Sequence, residues 1–426
     1  MKTSHLEVLL AGAPVGTLTR TVPAPWTFRY AENWQTSPAS YPLSLSMPLA
    51  RPEHGEPILE SWLWGLLPDN DRVLDRWGRR FQVSARNPFA LLAHVGEDCA
   101  GAVQIVRPER VAHLVEGGPV EAEWLDDRAV GARLRALGGD SAAWRNPSDR
   151  GQFSLAGAQP KTALLRLDGR WGVPFGRTPT THILKPPTAA LEGHAENEHF
   201  CLALARQVGL PAARSEVIGF DGEVAIVIER YDRVNANGAI RRVHQEDLCQ
   251  ALGLPPISKY QNEGGPSPAH VAALLKGASS HPADDVATFV DALVFHWLVA
   301  GTDAHGKNYS ILHGPGGRVR LAPLYDIASA LPYPHLASGH LKLAMKIGGE
   351  YRLRYIGRPR WLRAAAEVGM AGDDLVARAR GLATAVSVGA AVVAAQCRAQ
   401  GLEHPIVDRL AEAITSRAHA CGTRLG

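Results

Sequence analysis

The sequence predicts an α+β protein: a β-rich lobe and an all-α C-terminal lobe behind an extra N-terminal α+β module. Three observations carry this expectation. Short β-rich, period-two runs fill the chain before about residue 245, and longer helical patterns fill it afterwards. A length of 426 residues allows two or three domains, each with its own core. Finally, two apolar runs in the second half, 289–299 and 321–325, each lead into an acidic residue, Asp303 and Asp326. The boundaries that follow are 1–145, 146–245 and 246–426.

In the module, residues 5–20 alternate around a small-residue turn and predict a β-hairpin, with 28–30 as a third strand and 42–47 as another. Residues 62–67 switch to a helical pattern, a second helix starts near 68–72, and Asn87-Pro88-Phe89 opens a short helix over 90–95. Residues 103–106 read as a closing strand. No catalytic constellation stands here, so the module reads as structural or partner-binding. A polar, Gly- and Ala-rich connector, 107–150, follows, with one helix at 130–137 and Trp144 as an anchor.

The β-rich lobe opens on 151–162, GQFSLAGAQPKT, ahead of a strand at 163–167. A turn of small residues lets backbone N–H groups approach phosphate oxygens, with Lys161 adding charge. Neither G-x4-G-K-[ST] nor G-x-G-x-x-G occurs, and local features alone favour a plain hairpin turn over a phosphate loop. The strand 181–186 carries Lys185 near its end, either aimed at a phosphate or lying on a surface edge. The helix 196–208 has Glu196 and Glu198 in its first turn, either of which could pair with Lys185 or simply favour the helix dipole. Residues 224–229 form the most continuous β run, and 230–233 end it where an adenine would receive backbone hydrogen bonds. A helix is expected to start over 244–250, and further helices at 268–277, 284–300, 360–368, 373–397 and 405–420.

The chemistry concentrates at GTDAHGKNYS, 301–310, and LAPLYDIAS, 321–329. Asp303 and Asn308 have four residues between them, the interval of the protein-kinase catalytic loop. Phosphoryl transfer needs a carboxylate to orient and deprotonate a hydroxyl, and an amide oxygen plus a second carboxylate to hold Mg2+. Asp303, Asn308 and Asp326 supply them in that order, which makes the predicted architecture a two-lobed protein-kinase-like fold with the nucleotide between the lobes. The usual His-Arg is replaced by Gly301-Thr302, and the glycine after the metal aspartate's neighbour by Ala328, so the chain departs from ordinary protein kinases.

The formal charge of +3 gives no cationic field for direct nucleic-acid or membrane binding. Five widely spaced cysteines form no C-x-x-C pair or metal-ligand spacing, and predict reduced thiols in a cytoplasmic protein. No signal-peptide core is expected at the N-terminus, and the apolar stretch 382–397 is expected to be a buried helix too short to span a membrane.

Together the stretches SLAGAQPKTALL, HILKPP, ENEHFCLALARQVGL, IERYDR, HQEDLCQALG, GTDAHGKNYS and PLYDIAS resemble the HipA family, serine/threonine kinase toxins of bacterial toxin–antitoxin systems. YPLSLSMPL, LLPDNDRV and NPFALLAHVGEDCAGAVQ are similar to that family's N-terminal module. The resemblance implies that Asp303 is the proton acceptor and that Asn308 and Asp326 hold Mg2+. It implies that Lys185 and the turn Ala156, Gly157, Ala158, Gln159 and Lys161 meet the ATP phosphates. Glu229, Arg230 and Tyr231 would line the adenine, and His305, Gly306, Lys307 and Tyr325 would lie in the nucleotide site. Ser154 would be autophosphorylated; a phosphate there adds nearly two negative charges inside an anion-binding turn and should eject it. The implied target is glutamyl-tRNA synthetase, and the implied partner a small helix-turn-helix antitoxin that binds operator DNA. Two other readings compete: a nucleotide-binding scaffold that mainly assembles with an antitoxin on DNA, and a small-molecule kinase sharing the same loop.

Overall fold

The alternation at the N-terminus folds as expected. Strands Thr3–Leu10 and Ala13–Thr21 pair antiparallel with Leu6 opposite Leu18, and Trp26–Tyr30 adds Phe28 on the same face. Glu53–Gly55 and Val103–Val106 complete an antiparallel sheet of five strands. The helices Ile58–Gly65, Asp71–Phe81 and Pro88–Val95 supply Leu59, Trp62, Leu63, Val73, Leu91 and Leu92 to the core beneath it. Each such side chain, once buried, contributes roughly 1.5–3 kcal/mol. In this computed structural model the described residues are 3–21, 25–114, 119–146, 148–188, 191–236, 239–334, 336 and 340–426.

The chain forms two compact units, and each is built from several segments. One comprises Met1–Pro186, Ile218–Pro256 and Ile311–Val319; the other Pro187–Val217, Ile257–Ser310 and Arg320–Gly426. The first unit adds a six-stranded sheet in which His182–Lys185 runs between Glu223–Glu229 and Thr162–Leu167. Helix Asp127–Gly139 covers it, setting Val130 and Leu134 against Leu164, Leu184 and Val227.

The second unit is helical around Pro282–Val299 and Gly372–Ala399, packed with His194–Gln207, Arg358–Val368 and Ile406–Thr423. The helix over 372–399 corrects the expectation of a short, wholly buried segment. It has 28 residues, enough by length and composition to cross a membrane, and buries one stripe at Leu375, Ala379, Ala383, Val386, Ala390, Val393 and Cys397. Its opposite side exposes Val388 and Val392.

Three other expectations change. Residues 42–47 form no strand, only a single bridge between Ser44 and Met47. There the Ser44 and Ser46 hydroxyls donate to the Gln250 carbonyl and the Leu45 amide donates to Glu246, so side-chain partners replace a ladder. The predicted helix start at 244–250 is a strand, His244–Asp247, followed by one helical turn, Leu248–Ala251. Asp247 caps that turn, accepting from the Gln250 amide, so its acidity serves the cap rather than a first turn. Finally, no strand precedes Thr162 among the described residues of 140–161, which excludes the hairpin reading of the small-residue turn.

Candidate active site

Helix Pro282–Val299 stops because Ala300 takes a left-handed conformation at φ 53°, which bends the chain into 301–308. The Gly301 amide donates to the His296 carbonyl at 2.8 Å. A Cβ on Gly301 would lie 2.5 Å from His296 Nδ1, so the residue must be glycine. Burial pushes His296 down to about 4, keeping it neutral beneath the loop.

The loop then bonds to itself. The Asp303 carbonyl accepts from the His305 amide and from Asn308 Nδ2, both at 2.8 Å, and the Asn308 amide donates to the His305 carbonyl at 2.9 Å. With its nitrogen committed, Asn308 presents Oδ1 as the end that can meet a cation. The Asp303 carboxylate is exposed and accepts from the Tyr260 hydroxyl. Burial and then Asp303 itself raise Tyr260, which stays a protonated donor. His305 is buried edge-on to Tyr260, with ring centroids 4.8 Å apart. The Gly306 amide donates to Lys259, and the Lys307 carbonyl accepts from Tyr325, whose hydroxyl also meets Ser310 Oγ. Tyr325 thus braces the loop.

The chain reaches Asp326 through a pinned strand. Asp285, buried, accepts from Arg320 at 3.0 Å and from the Leu321 amide at 2.9 Å. The Ala322 amide donates to Ser310, and Leu324 exchanges backbone bonds with Pro211 and Ala213. Beyond Asp326, buried Asn197 holds Ser329 twice, Nδ2 to its carbonyl and Oδ1 to its amide, each at 2.8 Å. The Ala330 amide donates to Ala300 at the head of the loop. Between these anchors Asp326 is left-handed at φ 57°, a conformation aspartate tolerates better than most residues. Burial lowers His305, while Asp303 and Asp326 both oppose that shift, and both also act on Tyr260. Tyr325, the residue before Asp326, bonds Lys307 and Ser310, so the two carboxylates border one neighbourhood. Glu196 and Glu198 lie buried in the same unit as Asn197.

The other unit holds Ser154, the small-residue turn, Lys185 and 229–231. Lys185 is 5% exposed on a central strand opposite Ile226, which rules out an edge lysine. Ser154 is fully buried, its hydroxyl donating to the Leu66 carbonyl at 2.7 Å and its amide to Asp98. Lys161 folds back into the turn, donating to Ala156 at 2.7 Å beside the Trp144 ring. Gly157 sits at φ 100°, a conformation that favours glycine.

Glu229 is exposed at its strand end and Tyr231 donates to Gln245. Arg230 is engaged throughout: its amide donates to Thr181, and its guanidinium bonds Asp232, Thr180 and the Cys99 carbonyl. Arg233 and Arg242 join this buried cluster around Asp98. Burial alone would raise Asp98, but Arg233, Arg230 and Arg242 hold it well below the usual carboxylate range.

Sequence reasoning did not single out Tyr260, Asn197 or Asp285. Asn197 stood between two glutamates that drew attention, and Tyr260 lies in a loop with no periodic signal. The donor set suits ATP with Mg2+: hard oxygens at Asn308 and Asp326, and backbone amides at a glycine turn.

Residues 153–394 match the HipA-like C-terminal domain and residues 6–106 the HipA N-terminal domain. The "Putative kinase Y4mE" of Sinorhizobium fredii is 38% identical over 381 residues, 88% of this chain and 87% of the relative. The serine/threonine-protein kinase toxin HipA of Shewanella oneidensis is 30% identical over 364 residues, 82% of this chain and 80% of the relative. In fold, the chain is similar to one solved in the HipA, HipB and operator DNA complex of Shewanella oneidensis MR-1. The TM-score is 0.82, covering 99% of this chain and 98% of that one at 24% identity. By both its domains and its relatives, the chain belongs to the HipA family of protein kinases.

Proposed function

We propose that this protein is an ATP- and Mg2+-dependent serine/threonine kinase acting as the toxin of a toxin–antitoxin pair. ATP with Mg2+ supplies the transferable γ-phosphoryl group and the charge neutralisation that lets it move. Asp303 orients the incoming hydroxyl and accepts its proton, steadied by the Tyr260 hydroxyl. Asn308 Oδ1 and the Asp326 carboxylate are the metal ligands. Lys185 and the turn over 156–161 meet the phosphates, the main chain near 229–231 meets the base, and His305, Gly306 and Lys307 border the nucleotide. Ser154 is the site of self-phosphorylation, and its burial means that the turn must leave before the hydroxyl is reached. The partner is a small helix-turn-helix antitoxin of the HipB type, through which the protein reaches DNA. The target is a translation component, glutamyl-tRNA synthetase by family resemblance.

The observation that carries this reading is the Asp303–Asn308 bond, which engages the amide nitrogen and leaves the amide oxygen for a cation, in a loop that Tyr325 ties to the segment carrying Asp326. Incubation with labelled ATP and Mg2+, followed by mapping of the modified residue, tests it. Label on Ser154 that disappears in Asp303→Ala supports the kinase; no label on this chain or on added glutamyl-tRNA synthetase overturns it.

A further inference from the structure

The turn over 156–158 is fastened by its carbonyls. Ala156 accepts from Lys161 Nζ at 2.7 Å, Gly157 from the Asp69 amide at 3.1 Å, and Ala158 from Asn70 Nδ2 at 3.3 Å. In a trans peptide the C=O of one residue and the N–H of the next point in opposite directions. Holding three successive carbonyls toward protein donors therefore turns the amides of Gly157, Ala158 and Gln159 the other way. That is the arrangement an anion-binding nest requires. Two of the three donors, and the Leu66 carbonyl that holds Ser154, come from one short stretch of the N-terminal module, 66–70.

Asn70 does two jobs with one side chain. Its Oδ1 accepts from the Arg72 amide and caps helix Asp71–Phe81, while its Nδ2 reaches the turn. We propose that residues 66–70 latch the phosphate turn, with Asn70 the positioning residue that keeps the amides of 157–159 aimed at the phosphates. The N-terminal module is thereby part of the nucleotide-binding apparatus rather than an appendage. The proposal rests on the reading of this turn as the phosphate cradle.

Asn70→Asp separates the two jobs, because the carboxylate keeps the cap acceptor but loses the donor and faces the Ala158 carbonyl. Asn70→Ser is a second variant with the same logic, retaining a cap without the amide. In the full chain without nucleotide, hydrogen exchange over 154–162 should quicken about fivefold in both, the ratio one ordinary hydrogen bond confers. Exchange over 73–81 should stay unchanged. ATP affinity measured calorimetrically with Mg2+ should fall by a similar factor. Unchanged exchange over 154–162 overturns the latch. Gly157→Val tests the underlying reading separately, since its Cβ would meet Lys161 Nζ at 2.5 Å and φ is 100°. Weakened ATP binding in Gly157→Val with unaltered affinity in both Asn70 variants leaves the cradle standing and removes Asn70's positioning role. ATP affinity unaltered in all three removes the cradle itself.

Discussion

The loop over 303–308 and the turn over 154–161 are both short and irregular, yet they are held in opposite ways. The loop's own bonds set its shape: Asp303, His305 and Asn308 bond one another across at most five positions, with Lys259, Tyr260 and Tyr325 bracing it from outside. The turn is fastened mainly from without, by Leu66, Asp69, Asn70 and Asp98, which lie 56 to 88 residues earlier. A self-bonded loop can carry its chemistry in its own spacing. A turn held by remote donors shows only that it is small and flexible, and the geometry that gives it a role is written elsewhere in the chain.

The sharpest test of the self-bonded half is Asp326→Ala. Removing the proposed metal ligand should cost several kcal/mol of transition-state stabilisation, so phosphate transfer should fall about a thousandfold or more while the fold persists. Asp303→Ala should lose about a hundred- to ten-thousandfold, the usual contribution of a general base. Labelled-phosphate incorporation measures both, and near-normal turnover in Asp326→Ala would show that the metal site is misplaced.

The externally held half should break in stability as well as activity. Asp98 receives Arg233, Arg242 and both donors of Thr180 inside the core, and its main-chain carbonyl holds the Ser154 amide. Asp98→Ala leaves buried guanidinium groups uncompensated and should cost about 3–5 kcal/mol, read as a lower denaturation midpoint. Loss of ATP affinity should accompany it if the turn depends on this anchorage. A variant as stable as the parent would refute the structural weight given to the cluster.

A middle-sized effect is expected from Asn197→Ala, which strips both bonds from Ser329 behind Asp326. Two buried backbone groups then lose these partners, at a cost of about 1–3 kcal/mol each. Because Asn197 acts through Asp326, the apparent Mg2+ requirement of the reaction should rise; unchanged metal dependence would reduce Asn197 to a packing residue.

These contrasts also explain what the sequence made legible. Asp303, Asn308 and Asp326 can be put forward from the sequence because their spacing and the apolar runs before them are local features, and the helices of the second half follow from periodicity. The strand at His244–Asp247 was misread as helical because its acids have remote partners: Glu246 meets Leu45 and His313. Arg230 reads by position as a base-lining residue, but its guanidinium enters a buried cluster whose other members lie in 98–101, 180 and 232–242. The same holds for Asn70 and Tyr260. Nothing in a linear sequence states which loop will face a given amide or hydroxyl.

The smallest expected effect concerns proton uptake by three histidines, two in one unit and one in the other. Burial lowers His244 to about 3 and His182 to about 4 in the first unit, and His296 to about 4 in the second. All three are neutral when folded, whereas the unfolded chain titrates them near 6.5. Between about pH 6.5 and 4 these three histidines alone let the unfolded state hold up to three more protons, and stability falls as pH falls through that window. The contribution is complete above the unfolded value, with a slope of at most about 1.4 kcal/mol per pH unit for each histidine. His296→Gln removes only that histidine's share, so its denaturation midpoint should decline less steeply between pH 6.5 and 4 than the parent's. Parallel declines would mean that His296 keeps its ordinary proton affinity beneath the loop, and that Gly301 and the buried helix end do not exclude water there.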